Sequence, residues 1–451
     1  MDTKRSHFSG RIGFVLATAG SAVGLGNIWR FPYLAAQYGG GIFLFVYLIL
    51  VVTFGFALAL GEAALGRKTG LSAIGAFRKL NKKYAFIGYI GALVPIIILP
   101  YYSVIGGWVM KYLTVFATGQ TTVAANDTFF STFIAQTAEP IFWLGMFILI
   151  TTLVVFLGVE KGIEKVSKIL MPLLVILTVG IAVYSVTLPG SWDGFLYYVT
   201  PDFSRFSLKT VVGAMGQLFY SMSIAMGIMI TYGSYMRKED DLEKSISQIE
   251  FFDTGIAFFS GMMIIPAVFA FSGGDASSIN AGPGLMFMTL PKVFASMPFG
   301  SIIGALFFLL VLFAALTSSI SLMETVVSIF CDKFKWSRKV GTIVVFLFTL
   351  IIALPSSLGF GIWSAIQPLN MSFLDFFDFI SNSILMPIAA LLTCLFIGYI
   401  IKPKAIVDEI TQSSEFKRKN LFIVMIKYIA PIFILIILIS SILGTLGIFT
   451  I

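Results

Sequence analysis

Long apolar runs recur along the whole chain and constrain its fold more than any other feature. A helix needs about 20 mostly apolar residues to cross the hydrocarbon core of a bilayer. Eleven runs reach or approach that length. We therefore predict eleven transmembrane helices, called spans 1 to 11 in chain order, near residues 12–35, 41–65, 86–115, 140–158, 165–187, 208–235, 246–271, 299–330, 340–354, 375–401 and 421–447.

The composition supports lipid as the surrounding solvent. Of the 451 residues, 58% are hydrophobic and 12% are charged, whereas soluble domains carry roughly 25% charged residues. Helices satisfy all their backbone hydrogen bonds internally, which a bilayer requires. The sequence predicts an all-α integral membrane protein that forms one domain over residues 1–451, and it excludes a soluble binding module.

The basic residues indicate how the chain crosses the membrane. The net charge of +8 could indicate nucleic-acid binding. However, 25 of the 30 lysines and arginines lie in the arm 1–11 or in alternate loops. Because cytoplasmic loops are enriched in Lys and Arg, we predict a cytoplasmic N-terminus and an outside C-terminus in the plasma (cell inner) membrane. The expected partner is the lipid bilayer, not a nucleic acid.

Few residues are available for metal or nucleophile chemistry. The chain has one histidine, His7, and two separated cysteines, Cys331 and Cys394. It contains neither a G-x-S-x-G nor an H-E-x-x-H motif. A zinc site or a Cys/His nucleophile is therefore not expected, and we do not expect an enzyme.

Two spans contain runs of small and hydroxyl residues at mid-membrane. Span 1 reads AGSAVGLGN over 19–27, and span 6 reads SMSIAMG over 221–227. Small residues also occur where helices pack closely. The two runs occupy corresponding positions in 12–187 and 208–401, which favours two inverted repeats with discontinuous helices.

An unwound segment inside the bilayer has a chemical consequence. Exposed backbone is tolerated there only around a polar cavity. Freed carbonyls attract cations and the N-termini of half-helices attract carboxylates. An amino acid together with Na⁺ satisfies both. A channel is the alternative, but paired broken helices fit alternating access better than a continuous pore.

Several motifs resemble those of one transporter family. They are GSAVGLGNIWRFP over 20–32, GEAALGR over 61–67, GQLFYS over 216–221 and LTSS over 316–319. Together they strongly resemble the neurotransmitter:sodium symporter family, which has the LeuT fold, and the resemblance covers nearly the whole chain. It implies a sodium-coupled symporter that imports amino acids by alternating access. Most members have twelve helices, whereas eleven are predicted here, so the twelfth is expected to be missing.

The resemblance implies two sodium sites. The first would use the Ala22 carbonyl, Asn27, Ser221, Asp253 and the substrate carboxylate. The second would use backbone oxygens of Gly20, Val23 and Ala314 with the hydroxyls of Thr317 and Ser318. Ala314, Thr317 and Ser318 share one helical face, and hard cations prefer oxygen ligands. The alternative is that these hydroxyls bond to their own helix.

The resemblance also implies a substrate pocket whose wall is mainly apolar and carries no charge. A bulky hydrophobic side chain would fit it, so we predict aliphatic and aromatic substrates such as leucine, phenylalanine and tryptophan. Ser221 is also among the implied substrate-binding residues. The other implied residues are Ala22, Gly24, Leu25, Gly26, Ile98, Tyr102, Phe219, Tyr220, Ser223, Met226, Ser318 and Leu322.

Charged pairs on either side of the pocket are the implied gates. Arg30 and Asp378 would form the outer gate, and Arg5 and Asp332 the inner one, although loop charges can simply be solvated.

Two positions depart from the pattern of chloride-dependent relatives. Asp253 replaces the usual asparagine, and Ala257 stands where chloride-dependent relatives carry serine. An ionised Asp253 would supply negative charge, so chloride is not expected to be required. The oligomeric state is left open.

Overall fold

The computed structural model describes residues 7–273 and 283–445, and every regular element in these ranges is helical. Nine helices in this part of the chain are long and apolar enough to cross a bilayer. The prediction of a multi-span all-α membrane protein is confirmed. Spans 2 to 5 are Gly41–Thr69, Lys82–Ala117, Ala138–Phe156 and Val159–Val186, and spans 7 to 11 are Leu242–Ser272, Gly300–Phe334, Arg338–Leu358, Phe373–Ile400 and Lys419–Leu443.

The two remaining spans are broken, as predicted. Span 1 consists of Arg11–Ala22 and Gly26–Gln37, which are bent by 54° relative to each other. Span 6 consists of the helices Leu208–Ser221 and Ile228–Gly233, each too short to cross a bilayer alone. With the bent pair of span 1 counted once, ten spans in the described residues are long and apolar enough to cross a bilayer, against the eleven predicted, because the two helices of span 6 are short.

Polar side chains fix where several spans begin. Ser207 caps span 6 by accepting the Thr210 N–H at 3.2 Å, and Asp241 caps span 7 in the same way. Such caps satisfy backbone donors that a helix start leaves open. Span 7 therefore begins at Leu242 rather than near 246, since its first turn is polar and was not part of the apolar run.

Shorter helices connect the spans. They are Ala73–Leu80, Thr121–Ala124, Phe129–Ala135, Trp192–Val199, Leu285–Ser296 and Lys402–Ile410.

Spans 1 and 6 lie inside the bundle. Spans 3 and 8 pack against each other along their length, and span 1 packs against spans 5, 7 and 8. The second half of span 6 packs against span 2. Both breaks are therefore enclosed by continuous helices, which places their exposed backbone away from lipid.

The break in span 6 has an unusual backbone. Ser223, Ala225 and Gly227 have φ values of 52°, 62° and 71°, in the left-handed region. Side-chain-bearing residues adopt this region at a cost and need external stabilisation. The buried Glu62 of span 2 provides it by accepting the Ala225 N–H at 2.9 Å.

Candidate ion and substrate site

A buried carboxylate organises the first cluster of predicted residues. Asp253 of span 7 is fully buried and accepts the Asn27 side-chain N–H and the Ser221 hydroxyl, both at 2.7 Å. Tyr47 of span 2 donates to the other carboxylate oxygen at 3.3 Å. The structure thus brings together both broken helices and two continuous spans around one negative charge.

Ala22 is the remaining residue predicted for the first sodium site, and it ends the first half of span 1. Beyond it the chain leaves the helix, because Val23 has extended backbone angles. Gln217 of span 6 donates its side-chain amide to the Gly26 carbonyl at 3.0 Å. The sequence had not indicated this second link between the two broken helices.

A second cluster forms where span 8 faces the break in span 1. The Ser318 hydroxyl donates to the Ser21 carbonyl at 3.1 Å and lies 3.5 Å from the carbonyl oxygens of Gly20 and Val23. Three carbonyls and a hydroxyl oxygen therefore converge on one point. Oxygen-only surroundings of this kind suit a hard cation.

The neighbouring hydroxyl behaves differently. Thr317 donates to the carbonyls of Phe313 and Ala314 in its own helix, at 3.0 and 3.1 Å. Its methyl side lies next to Gly20, where an added Cβ would be 3.2 Å from the Thr317 Cβ. The two hydroxyls therefore differ. The Thr317 hydroxyl bonds to its own helix, whereas the Ser318 hydroxyl bonds to the carbonyls of span 1.

A small cavity of about 30 Å³ lies between the two breaks. This is room for little more than one water molecule, so a larger ligand requires the wall to move outward. Among the residues that the structure describes, no charged side chain lines the cavity. Its lining consists of Ser21, Ala22, Gly24, Leu25, Gly26, Asn27, Ile98, Tyr102, Tyr220, Ser223, Met226, Ile228, Ser318 and Leu322.

Most of the predicted pocket residues are in this lining, with two exceptions. Phe219 instead packs its ring against Phe54 with centroids 5.4 Å apart, and Ser221 points to Asp253. Ser21 and Ile228 line the cavity but were not predicted. Ser21 lies within the glycine-rich break, which is the signal that could have indicated it.

Two glycines allow close approach to the cavity. A Cβ on Gly24 would lie 2.7 Å from the Ser318 hydroxyl oxygen, and one on Gly26 would lie 2.3 Å from the Tyr220 ring. The absence of a side chain at these positions lets the broken segment of span 1 approach its neighbours. The Tyr102 hydroxyl accepts the Leu25 N–H at 3.4 Å.

The predicted outer gate residues, Arg30 and Asp378, do not form a direct ion pair with each other in the part of the chain that the structure describes. The Arg30 guanidinium lies 5.4 Å from the centre of the Tyr220 ring. Asp378 accepts the Tyr101 hydroxyl at 2.9 Å and the Asn382 amide at 2.5 Å.

Only one of the two predicted inner gate residues can be placed. Arg5 lies outside the described residues. Asp332 accepts the Ser72 N–H at 2.8 Å, which joins the end of span 8 to the start of the connector helix Ala73–Leu80.

Two broken helices around an oxygen-rich cavity at the centre of a helical bundle define a secondary transporter. Comparison with known proteins gives the family. The model of the Sodium:neurotransmitter symporter family matches residues 5–132 and 129–446. The chain belongs to this family, which contains transporters and not enzymes.

Individual relatives agree with this assignment. A sodium-dependent transporter of Bacillus subtilis, YhdH, is 32% identical over 98% of both chains. The sodium-dependent transporter MJ1319 of Methanocaldococcus jannaschii is 33% identical over 92% of this chain and 86% of its own length. The protein is therefore a sodium-coupled transporter that crosses the membrane several times.

A solved structure extends the likeness to three dimensions. The crystal structure of MhsT in complex with L-phenylalanine matches with a TM-score of 0.87 and 39% identity, covering 97% of this chain and all of that one. The predicted LeuT fold is confirmed.

Proposed function

We propose that this protein imports hydrophobic L-amino acids, both aliphatic and aromatic, together with two Na⁺ ions by alternating access. The proposal rests on one observation about the cavity. One end is lined by polar backbone of the two breaks, and the other end is lined by side chains that carry no charge. The backbone end suits the ammonium and carboxylate groups that every amino acid has. The apolar end selects among side chains, because a charged one would be buried there without a partner.

The relative MhsT supports this substrate class, since its structure contains L-phenylalanine. Met226 in the wall supports acceptance of several shapes, because a methionine side chain is flexible and adapts to its neighbours. The present cavity volume of about 30 Å³ means that admission of such a substrate includes an outward movement of the wall.

Two Na⁺ sites fit the two oxygen clusters. The carboxylate of Asp253 with Asn27, Ser221 and the Ala22 carbonyl would hold one ion next to the substrate carboxylate. Ser318 and Thr317 with the carbonyls of Gly20, Val23 and Ala314 would hold the other. The converging hydroxyl and carbonyl groups near Ser318 support the second assignment.

We further propose that transport does not require chloride. Tyr47 and Ser221 are hydrogen-bond donors that could hold an anion, yet both donate to Asp253. A built-in carboxylate thus takes the place that a bound anion would fill. Ala257, one turn further along span 7, has no hydroxyl to contribute.

The orientation follows from charge. Because 25 of the 30 lysines and arginines lie in the arm or in alternate loops, we place the N-terminus in the cytoplasm and the C-terminus outside a plasma membrane.

Uptake into proteoliposomes tests the substrate proposal. With an inward Na⁺ gradient, we expect saturable uptake of labelled leucine that excess phenylalanine or tryptophan inhibits and excess glycine or glutamate does not. Collapse of the gradient is the control and should abolish accumulation. Stronger inhibition by acidic or basic amino acids would show that the pocket has been assigned wrongly.

A further inference from the structure

A cavity lined by basic side chains lies away from the transport site, between the connector helix Ala73–Leu80 and the end of span 8. It measures about 360 Å³. We call it the basic cavity. Its polar lining consists of Arg78, Lys79, Lys82, Asp332, Lys333 and Lys335.

Part of this charge is already engaged. Lys79 donates to the Thr69 carbonyl at 2.9 Å, and Lys333 contacts the Tyr89 hydroxyl. The one carboxylate in the lining, Asp332, accepts a backbone N–H from Ser72.

Three cations are left to face the cavity. Arg78, Lys82 and Lys335 are exposed, and none of them forms an ion pair with another residue that the structure describes. Lys335 is held at the rim because it ends span 8 with a left-handed backbone, at φ 58°. The lining carries five lysines and arginines against one carboxylate, and such an excess of positive charge around one concave surface creates a local potential that attracts an anion.

The surroundings indicate that this anion comes from the membrane. The apolar part of the lining is Leu71, Ile74 and Ile329. Tyrosine and tryptophan are enriched at membrane–water interfaces. Near the cavity, Tyr89, which contacts Lys333, is 41% exposed, and Trp336, which stacks on Phe334, is 36% exposed.

We propose that the basic cavity binds the phosphate headgroup of an anionic phospholipid. Arg78, Lys82 and Lys335 would pair with phosphate oxygens, since charge-assisted hydrogen bonds to phosphate are strong. The lipid chains would leave past the exposed aromatic side chains into the bilayer. The cavity lies where the connector helix meets span 8, so the bound lipid would hold these two elements together.

Lipid binding to the purified full-length protein in phosphatidylcholine nanodiscs tests this proposal. Phosphatidylglycerol or cardiolipin is titrated, and binding is measured by native mass spectrometry and by thermal shift. Each charge-assisted hydrogen bond to the bound phosphate is expected to contribute at least about fivefold in affinity. We expect the triple variant Arg78→Gln/Lys82→Gln/Lys335→Gln to bind cardiolipin about 100-fold more weakly.

A matched triple variant is the control. Arg237, Lys404 and Lys419 are exposed, lie at or between span ends predicted to be on the same side, and are outside the basic cavity. They supply the same one arginine and two lysines. Replacing them with glutamine should change the affinity for cardiolipin by less than about threefold. These residues contribute only to the diffuse potential of the protein surface, which salt screens. Leucine uptake shows whether each variant is folded. If the triple variant of the basic cavity does not fold, the single variant Lys335→Gln is measured in its place.

Two results would overturn the proposal. Equal loss of lipid affinity in both triple variants would mean that total charge, not the cavity, attracts the lipid. Displacement of the lipid by inorganic phosphate at equal concentration would mean that a soluble anion is the ligand. Neither result bears on the sodium-coupled transport of amino acids, which is measured separately.

Discussion

The Ser318 hydroxyl donates to the Ser21 carbonyl at 3.1 Å, which joins span 8 to the break in span 1. The next residue, Ser319, makes a different contact with the Thr151 hydroxyl of span 4, at 3.2 Å. Two adjacent serines therefore offer a direct comparison between an ion-site hydroxyl and a packing hydroxyl.

The first prediction uses this pair. Ser318→Ala removes an oxygen from the proposed second sodium site and should raise the Na⁺ concentration for half-maximal uptake by about tenfold, which corresponds to about 1.4 kcal/mol. Ser319→Ala should leave that concentration unchanged and lower stability by about 1 kcal/mol. Uptake as a function of Na⁺ and thermal unfolding measure the two effects. Equal Na⁺ dependence in both variants would contradict the assignment of Ser318.

The second prediction concerns Asp253. Its carboxylate is the negative charge of the proposed first sodium site, and two opposite charges about 4 Å apart attract by about 4 kcal/mol at an effective dielectric constant of about 20. Asp253→Asn should raise the Na⁺ concentration for half-maximal uptake by at least about tenfold. The control, Asp193→Asn, changes an exposed carboxylate on the connector helix Trp192–Val199 and should have no effect.

The same residue gives a third, anion-based prediction. Uptake by the natural protein should be the same in chloride and in gluconate, because Asp253 already occupies the donors of Tyr47 and Ser221. Loss of uptake in gluconate would refute the proposed chloride independence.

The fourth prediction concerns Gly24. An added Cβ would lie 2.7 Å from the Ser318 hydroxyl oxygen and 3.3 Å from the Tyr102 hydroxyl oxygen. Overpacking of this kind costs about 1–3 kcal/mol, so Gly24→Ala should reduce leucine uptake by tenfold or more. Gly145→Ala is the control, because no atom lies within 4 Å of its added Cβ. Normal uptake by Gly24→Ala would show that the cavity is not the substrate site.

The fifth prediction concerns the support of span 6. Glu62→Ala removes the acceptor of the buried Ala225 N–H, and such an unpaired group costs about 1–3 kcal/mol. The variant should unfold at a lower temperature and lose uptake. Glu62→Gln keeps a carbonyl acceptor at the same position, so its thermal stability should lie closer to that of the natural protein. Identical stability of both variants would mean that the Glu62–Ala225 hydrogen bond does not stabilise the break.

Much of the architecture is predictable from local pattern. Apolar runs such as 41–65 and 299–330 define spans, since a bilayer excludes almost any other structure. The breaks in spans 1 and 6 are visible as small and hydroxyl residues, and the motif over 20–32 indicates the family. Span starts were less accurate, because polar first turns such as the one after Asp241 carry no apolar signal.

Side-chain partners needed the tertiary structure. The sequence places Thr317 and Ser318 on one helical face, but only the packing of span 8 against span 1 directs one hydroxyl inward and leaves the other on its own helix. Glu62 meets Ala225, and Gln217 meets Gly26, across more than 160 positions of the chain.

The sequence by itself thus determined the membrane environment, the multi-span all-α architecture, the places where two spans break and the family. These properties follow from composition and from motifs within single segments. The tertiary structure decided which groups face one another: the three donors around Asp253, the cation–π contact of Arg30 with Tyr220 in place of an ion pair with Asp378, and the basic cavity. The physical reason is that such contacts depend on how each helix is rotated about its axis, and that rotation is set by the packing of all the spans together.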